Sequence, residues 1–195
     1  MFSLRRPSRA DLARIVAQQD GRELSYREHG ATGGVMPTGY RHDQWETDLG
    51  AFDAAAFERL AVALMNWQAQ VGAGLTIYPP DEVRPGLTFA LCFRAAGLYV
   101  TAAGRVVYLI SEPDRRGFAY GTLPHHPEQG EEAFQLIRDG MRMLFRVTSF
   151  SRPRHPLARL GAPVSRTIQT RTNRAYLTAM RDAASRRPGA NAPSP

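Results

Sequence analysis

Hydrophobic and polar positions along the chain follow first a helical period, then a period of two, then a helical period again. Leu12, Ile15 and Val16 lie at helical spacing within Ser8 to Gln19, and Asp11 stands three residues after Ser8. That is a capping-box pattern and predicts a first helix, closed at Gly21. Arg22 to His29 reads as a polar edge strand. Residues 30–50 read as loop, because Gly30, Gly33, Gly34, Pro37 and Gly39 interrupt any period. Long loops inside compact domains often serve function. This one holds the polar and aromatic run Tyr40 to Glu46, expected as a lid or rim. Asp53 is placed to cap a second helix, in which Phe57, Leu60, Leu64 and Trp67 recur on one stripe before Gly72 and Gly74 close it.

From Leu75 to Phe150 the period is two, which predicts a run of antiparallel strands. Leu87, Phe89, Leu91 and Phe93 share one strand face, and Val106, Tyr108 and Ile110 share another. Phe118, Tyr120 and Thr122 share a third; Met143, Phe145 and Val147 share a fourth, with Arg142 and Arg146 behind it. Asp139-Gly140 is a hairpin signal before that last strand. Pro163 suits the first turn of a final helix, striped by Val164, Ile168, Thr172, Tyr176, Met180 and Ala183. At 1.5 Å per residue that helix is ~30 Å long, enough to cross the sheet. The expected class is α+β, a curved antiparallel sheet around a long C-terminal helix. A cylinder and a concave sheet do not fill each other's volume, so a ligand cavity is expected between them. The expected organisation is an N-terminal helix, strand and loop over 1–39, a ligand-binding domain over 40–184 and a disordered tail over 185–195.

Composition narrows the function classes. With 195 residues and 43% hydrophobic content the chain can build one sizeable core. It holds no run of eighteen apolar residues and no apolar stretch near the N-terminus, so neither a membrane span nor a secretory signal is expected, and a cytoplasmic location is. Net charge is +7, but all 25 basic residues are arginine, the pattern of a GC-rich coding sequence. Much of the excess sits at the ends, in Arg5, Arg6, Arg9, Arg14, Arg181, Arg186 and Arg187. A nucleic-acid surface needs cations clustered on one face with stacking aromatics, so no specific nucleic-acid partner is expected. The single cysteine, Cys92, lies in an apolar run and reads as a small buried side chain. It allows neither an internal disulfide nor a thiolate zinc cluster.

Candidate chemistry lies around residues 117–152. Gly117-Phe118-Ala119-Tyr120-Gly121-Thr122 lacks the phosphate-loop form, and its glycines mark a bend or a close approach to the backbone. His125, His126 and Glu128 are poorly spaced for a metal, so no metal and no cofactor is expected. His126 with Glu131 or Glu132 suits acid–base work. Alternatively His126-Pro127 makes a turn and Glu131 satisfies backbone donors or an arginine. The two glutamates point to opposite sheet faces. Glu132 shares its face with Phe134 and Leu136 and needs a partner there, for which Arg152 is the candidate. Ser151 lacks a nucleophile-elbow context. Gln169, Thr172, Asn173 and Tyr176 on or beside the inner stripe of the last helix suggest a cavity with hydrogen-bonding positions.

The blocks Arg105 to Tyr108, Gly117 to Pro124, His126-Pro127-Glu128, Gly130 to Phe134 and Phe150 to Pro153 occur in a specific order and spacing. With Arg41 to Gly50, Phe57 to Trp67 and Gln169, they resemble the bacterial and plant family DUF1990, a domain of unknown function, over roughly residues 40–180. His125 departs from that pattern, where a small residue is expected. The element order is similar to the START-like or Bet v 1-like (SRPBCC) superfamily with its helix-grip fold. The resemblance implies binding of a small apolar or amphipathic molecule, such as a lipid, isoprenoid or polyketide. The alternative it implies is a cofactor-free cyclase, lyase or isomerase using His126, Glu131 or Tyr120 for proton transfer. Trp45, Trp67, Tyr108, Phe118, Tyr120, Phe145, Arg152, Gln169, Thr172 and Tyr176 are the expected ligand contacts. A homodimer is a possible assembly, and a basic nucleic-acid or membrane-surface role is the third reading.

Overall fold

The computed structural model describes residues 1–154 and 162–186, with side chains of the last helix from 166 onward. The expected tail beyond 186 and the expected contribution of Val164 lie outside the described residues. Period-two alternation becomes a sheet of antiparallel strands ordered β2-β8-β7-β6-β5-β4-β3. The strands are β1 (Phe2–Ser3), β2 (Arg41–Ala51), β3 (Thr76–Tyr78), β4 (Thr88–Ala95), β5 (Leu98–Ser111), β6 (Arg115–Thr122), β7 (Glu128–Asp139) and β8 (Arg142–Pro153). β1 adds to β5 beside that path. The helices are α1 (Arg9–Gln19), α2 (Ala54–Met65), α3 (Gln68–Gly72) and α4 (Ala162–Ser185). Every described strand pairing is antiparallel, so the class is α+β.

Register decides which side chains meet. Phe118, Phe134, Val147 and Trp45 form one row across β6, β7, β8 and β2. That row floors the concave face, which α2, α3 and α4 cover. Trp67 sits 4.7 Å from Phe89 and 5.3 Å from Phe118, and Tyr176 meets Phe134 edge-on at 5.2 Å. Each such ring brings roughly 1.5–3 kcal/mol of burial. At Gly72 an added Cβ would stand 2.6 Å from the Ala179 Cβ, so glycine lets α3 press onto α4. α1 lies on the opposite, convex face, where Leu12 packs on Ala90 and Cys92. Its capping box forms as the sequence predicts, with Ser8 and Asp11 exchanging side-chain and backbone bonds.

Four expectations are corrected. Arg22 to His29 is not a strand. A main-chain bond from the Ser25 N–H to the Thr122 carbonyl at 2.9 Å, the Ser25 hydroxyl 2.6 Å from that of Thr122 and the Tyr26 ring against Gly121 hold it, rather than a ladder. The loop over 30–50 ends at residue 40, because Arg41–Ala51 pairs with β8 as an edge strand. Its inward positions Arg41 and Asp43 are themselves polar, which hid the alternation. Val106 and Tyr108 do not share a face, since a bulge between them turns Tyr108 to the convex side, opposite Ala119. The second helix breaks at Trp67, whose φ of 64° starts α3 while its indole N–H donates to the Asp81 carbonyl at 2.8 Å.

Candidate functional site

Glu131 and Glu132 are neighbours on β7, and the pleat sends them to opposite faces. Glu131 turns to the convex face and is 2% exposed. Its carboxylate accepts from the Tyr26 hydroxyl at 2.5 Å, the Gly30 N–H at 2.7 Å, the Thr32 N–H at 3.0 Å and the Thr32 hydroxyl at 2.5 Å. Tyr108 completes the set, 2.8 Å from the Thr32 hydroxyl. A carboxyl group that accepts this many hydrogen bonds is satisfied. Glu131 and Tyr108 therefore clamp the 25–34 segment onto the sheet. The glycine of the Tyr120-Gly121 pair has its reason here: a Cβ on Gly121 would meet the Tyr26 ring at 2.3–2.9 Å.

His126 is half-buried in the turn before β7, where its N–H donates to the Leu123 carbonyl and its Nδ1 takes the Glu128 N–H at 3.0 Å. Burial pulls its pKa down to about 4, so the ring is neutral. It hydrogen-bonds neither Glu131 nor Glu132. His125 Nε2 lies 3.1 Å from the Thr101 hydroxyl. Among the described residues no group of three or more His, Cys, Asp or Glu side chains could hold a metal.

On the concave face a polar row lies next to the aromatic floor. Tyr120, Glu132, Ser149 and Asp43 stand opposite one another across β6, β7, β8 and β2. The Tyr120 hydroxyl donates to Glu132 Oε2 at 2.6 Å. Above the row, α4 presents Gln169, Asn173, Tyr176 and Met180 at successive turns of one face. The Tyr176 phenol interacts with that of Tyr120 and with the Glu132 charge. Burial pushes the Glu132 carboxyl up to about 7, the Tyr120 bond opposes this, and the charges of Glu128 and Asp43 add to it. Tyr120 and Tyr176 are pushed well above their ordinary range, chiefly by burial. Asp43, by contrast, is matched by Arg41 Nε at 2.9 Å and by the Arg166 guanidinium of α4 at 2.7 Å. Gln169 Nε2 reaches Ser151 Oγ at 3.3 Å and Glu128 Oε2 at 3.4 Å, while its Oε1 is buried without a partner. Asn173 is 2% exposed, and no side-chain hydrogen bond is found for it among the described residues.

The expected ion pair between Arg152 and Glu132 does not form. Arg152 lies three positions from Ser149, so the pleat puts it on the convex side, over the Tyr40 ring at 4.4 Å. Of the other expected contacts, Trp67, Phe118 and Phe145 are sealed in the aromatic core. Trp45, Gln169 and Thr172 are half-buried along the seam between β2 and α4. A separate cleft of about 350 Å³ opens on the convex side, between α1 and β3–β4, lined by Arg6, Arg9, Leu12, Ile77, Tyr78 and Cys92. Sequence reasoning missed Glu132 as the partner of Tyr120, twelve residues away. The hairpin register between β6 and β7 was the available signal. It missed the Arg166–Asp43 tie because residues 41–43 read as loop.

The chain matches Domain of unknown function (DUF1990) over residues 25–179. It is 36% identical to a UPF0548 protein of Deinococcus radiodurans, covering 90% of this chain and 95% of that one. A UPF0548 protein of Dictyostelium discoideum is 25% identical over 88% of this chain and 90% of its own length. Among solved structures, the fold is similar to the Zhui aromatase/cyclase of a Streptomyces species (TM-score 0.56, 20% identity, 77% of this chain and 97% of that one). It is similar also to Ara h 8.0201 (TM-score 0.52, 11% identity, 75% and 98%) and to a hypothetical protein of Helicobacter pylori (TM-score 0.54, 10% identity, 83% and 96%). The fold is the Bet v 1-like helix grip, and the chain belongs to the DUF1990 (UPF0548) family.

Proposed function

We propose that the protein binds a small molecule with an apolar body and one hydrogen-bonding end, in the seam between α4 and the concave face. The observation that carries this reading is a convergence of underused polar groups. Gln169 Oε1 is buried and unpartnered, Asn173 is buried beside it, and Glu132 is met by a hydroxyl and, among the described residues, by no cation. Buried polar groups are ordinarily paired, and a few of them beside apolar walls are how ligand sites fix orientation. The aromatic floor is packed ring on ring, so the apolar body rests against Trp45, Ile168 and Thr172 rather than between Phe118 and Trp67.

Native mass spectrometry of the protein purified from its own host tests this. A bound small molecule is expected on the wild type and is expected to be lost in Q169L and N173L. Wild-type protein that emerges only as the bare chain contradicts the reading. A second reading, a cofactor-free cyclase, lyase or isomerase, is favoured by the Tyr120–Glu132 bond. A solved aromatase/cyclase shares the fold, which supports weighing this second reading.

A further inference from the structure

Resting on that binding reading, we propose that Glu132 is a proton-transfer residue acting on an enolisable carbonyl compound, with Tyr176 as the donor that holds the carbonyl oxygen. Glu132 is half-buried, like Asp43 at the end of its row, whereas Tyr120, Ser149 and Tyr176 around it are buried. Tyr120 holds Oε2 at 2.6 Å and leaves Oε1 for exchange. The groups facing it are Tyr120 on β6, Glu128 on β7, Asp43 on β2 and Tyr176 on α4, and Asp43 is ion-paired with Arg41 and Arg166. Among the described residues no arginine pairs with Glu132 itself, so none of them holds it in the ionised form. A carboxyl titrating near neutrality, here about 7, is matched to moving protons at cellular pH.

The step balances without an oxidant or reductant. The Glu132 carboxylate takes a proton from the carbon next to the carbonyl, and the C–H pair becomes a carbon–carbon double bond. The carbonyl π pair moves to oxygen, where the Tyr176 O–H donates to it in a site with little water. Return of the proton to the same or another carbon gives exchange or isomerisation. Tyr120 is a positioning residue that fixes the carboxyl rotamer. Its bond favours the ionised carboxyl, so removing it raises the pH at which the base becomes active.

The test uses full-length protein and 2-tetralone in D₂O, with loss of the α-hydrogen signal followed by NMR and binding followed by saturation transfer. The expected result is exchange faster than in buffer, with a rate that rises through about pH 7. E132Q should lose about 100-fold or more, and Y176F about 100-fold. Y120F should shift the rise to higher pH. R152Q, altered on the other face, should keep the wild-type rate. E132D, which moves the base by one methylene, should fall between wild type and E132Q and guards against an E132Q that fails to fold. A probe that binds the wild type without accelerated exchange overturns the proton-transfer role and leaves the binding reading standing. A probe that neither binds nor exchanges counts against both. Exchange unchanged in E132Q overturns the assignment of the base.

Discussion

Replacing Glu132 with glutamine should change how stability depends on pH, by an amount that follows from its surroundings. The carboxyl's ordinary value is 4.5, and burial under α4 raises it to about 7 in the folded chain. At 1.36 kcal/mol per tenfold change in acidity, the ionised form costs the folded state up to about 3 kcal/mol above pH 7, less for the part water reaches. Between pH 4.5 and 7 the folded chain keeps the proton that the unfolded chain has lost, so wild-type stability falls as pH rises through that window. His126 pulls the other way. Its pKa drops from 6.5 to about 4 on burial, so its contribution is complete above pH 6.5 and is lost as pH falls toward 4. In the wild type the two slopes offset each other between pH 4.5 and 6.5. E132Q removes one of them, so its stability should rise from pH 4 to 6.5 and then level. Measured by urea denaturation with unchanged m, E132Q should gain about 2–3 kcal/mol on the wild type between pH 5 and pH 8. A difference between the two proteins that stays constant from pH 5 to 8 would refute the reasoning, because it would mean that Glu132 titrates as an ordinary exposed carboxyl.

The convex clamp and the packing contacts are open to the same kind of measurement. E131Q, which removes the charge from four hydrogen bonds, should cost about 2 kcal/mol or more in urea denaturation, and a loss under 0.5 kcal/mol would make the clamp incidental. G121A drives a methyl into the Tyr26 ring and should destabilise by about 1–3 kcal/mol, with a lowered Tm; an unchanged Tm would show that the ring moves aside freely. Gln70 is fully buried in α3 with neither amide atom partnered. Q70L should therefore be neutral or stabilising by about 1 kcal/mol, and a clear loss of stability would show that the amide is used.

The class, the helix caps and the long covering helix are legible in the sequence because they rest on local spacing. Ser8 with Asp11, Asp53 ahead of Phe57, and the Gln169–Asn173–Tyr176 face can all be read within one or two helical turns. The opposed directions of Glu131 and Glu132 follow from the pleat alone. The site itself depends on pairings that local spacing does not reach. Tyr120 meets Glu132 only through the β6–β7 register, and Asp43 meets Arg166 across 123 residues. The bulge between Val106 and Tyr108 adds one residue to a strand without any glycine or proline to mark it, so Tyr108 changes face unannounced. The edge strand β2 was hidden because its inward face begins with Arg41 and Asp43, which pair with each other and with α4 rather than with an apolar core.

The account turns on Glu132 being the polar end of the ligand seam, and its own carboxyl reports on that most directly. With glutamate labelled at the side-chain carboxyl carbon, NMR titration, assigned by comparison with E132Q, should give a midpoint near pH 7. Addition of a small-molecule extract from the protein's own host should move that midpoint or suppress the titration, as the carboxyl acquires a partner. A Glu132 signal that titrates near the ordinary 4.5 and is indifferent to the extract would contradict the account.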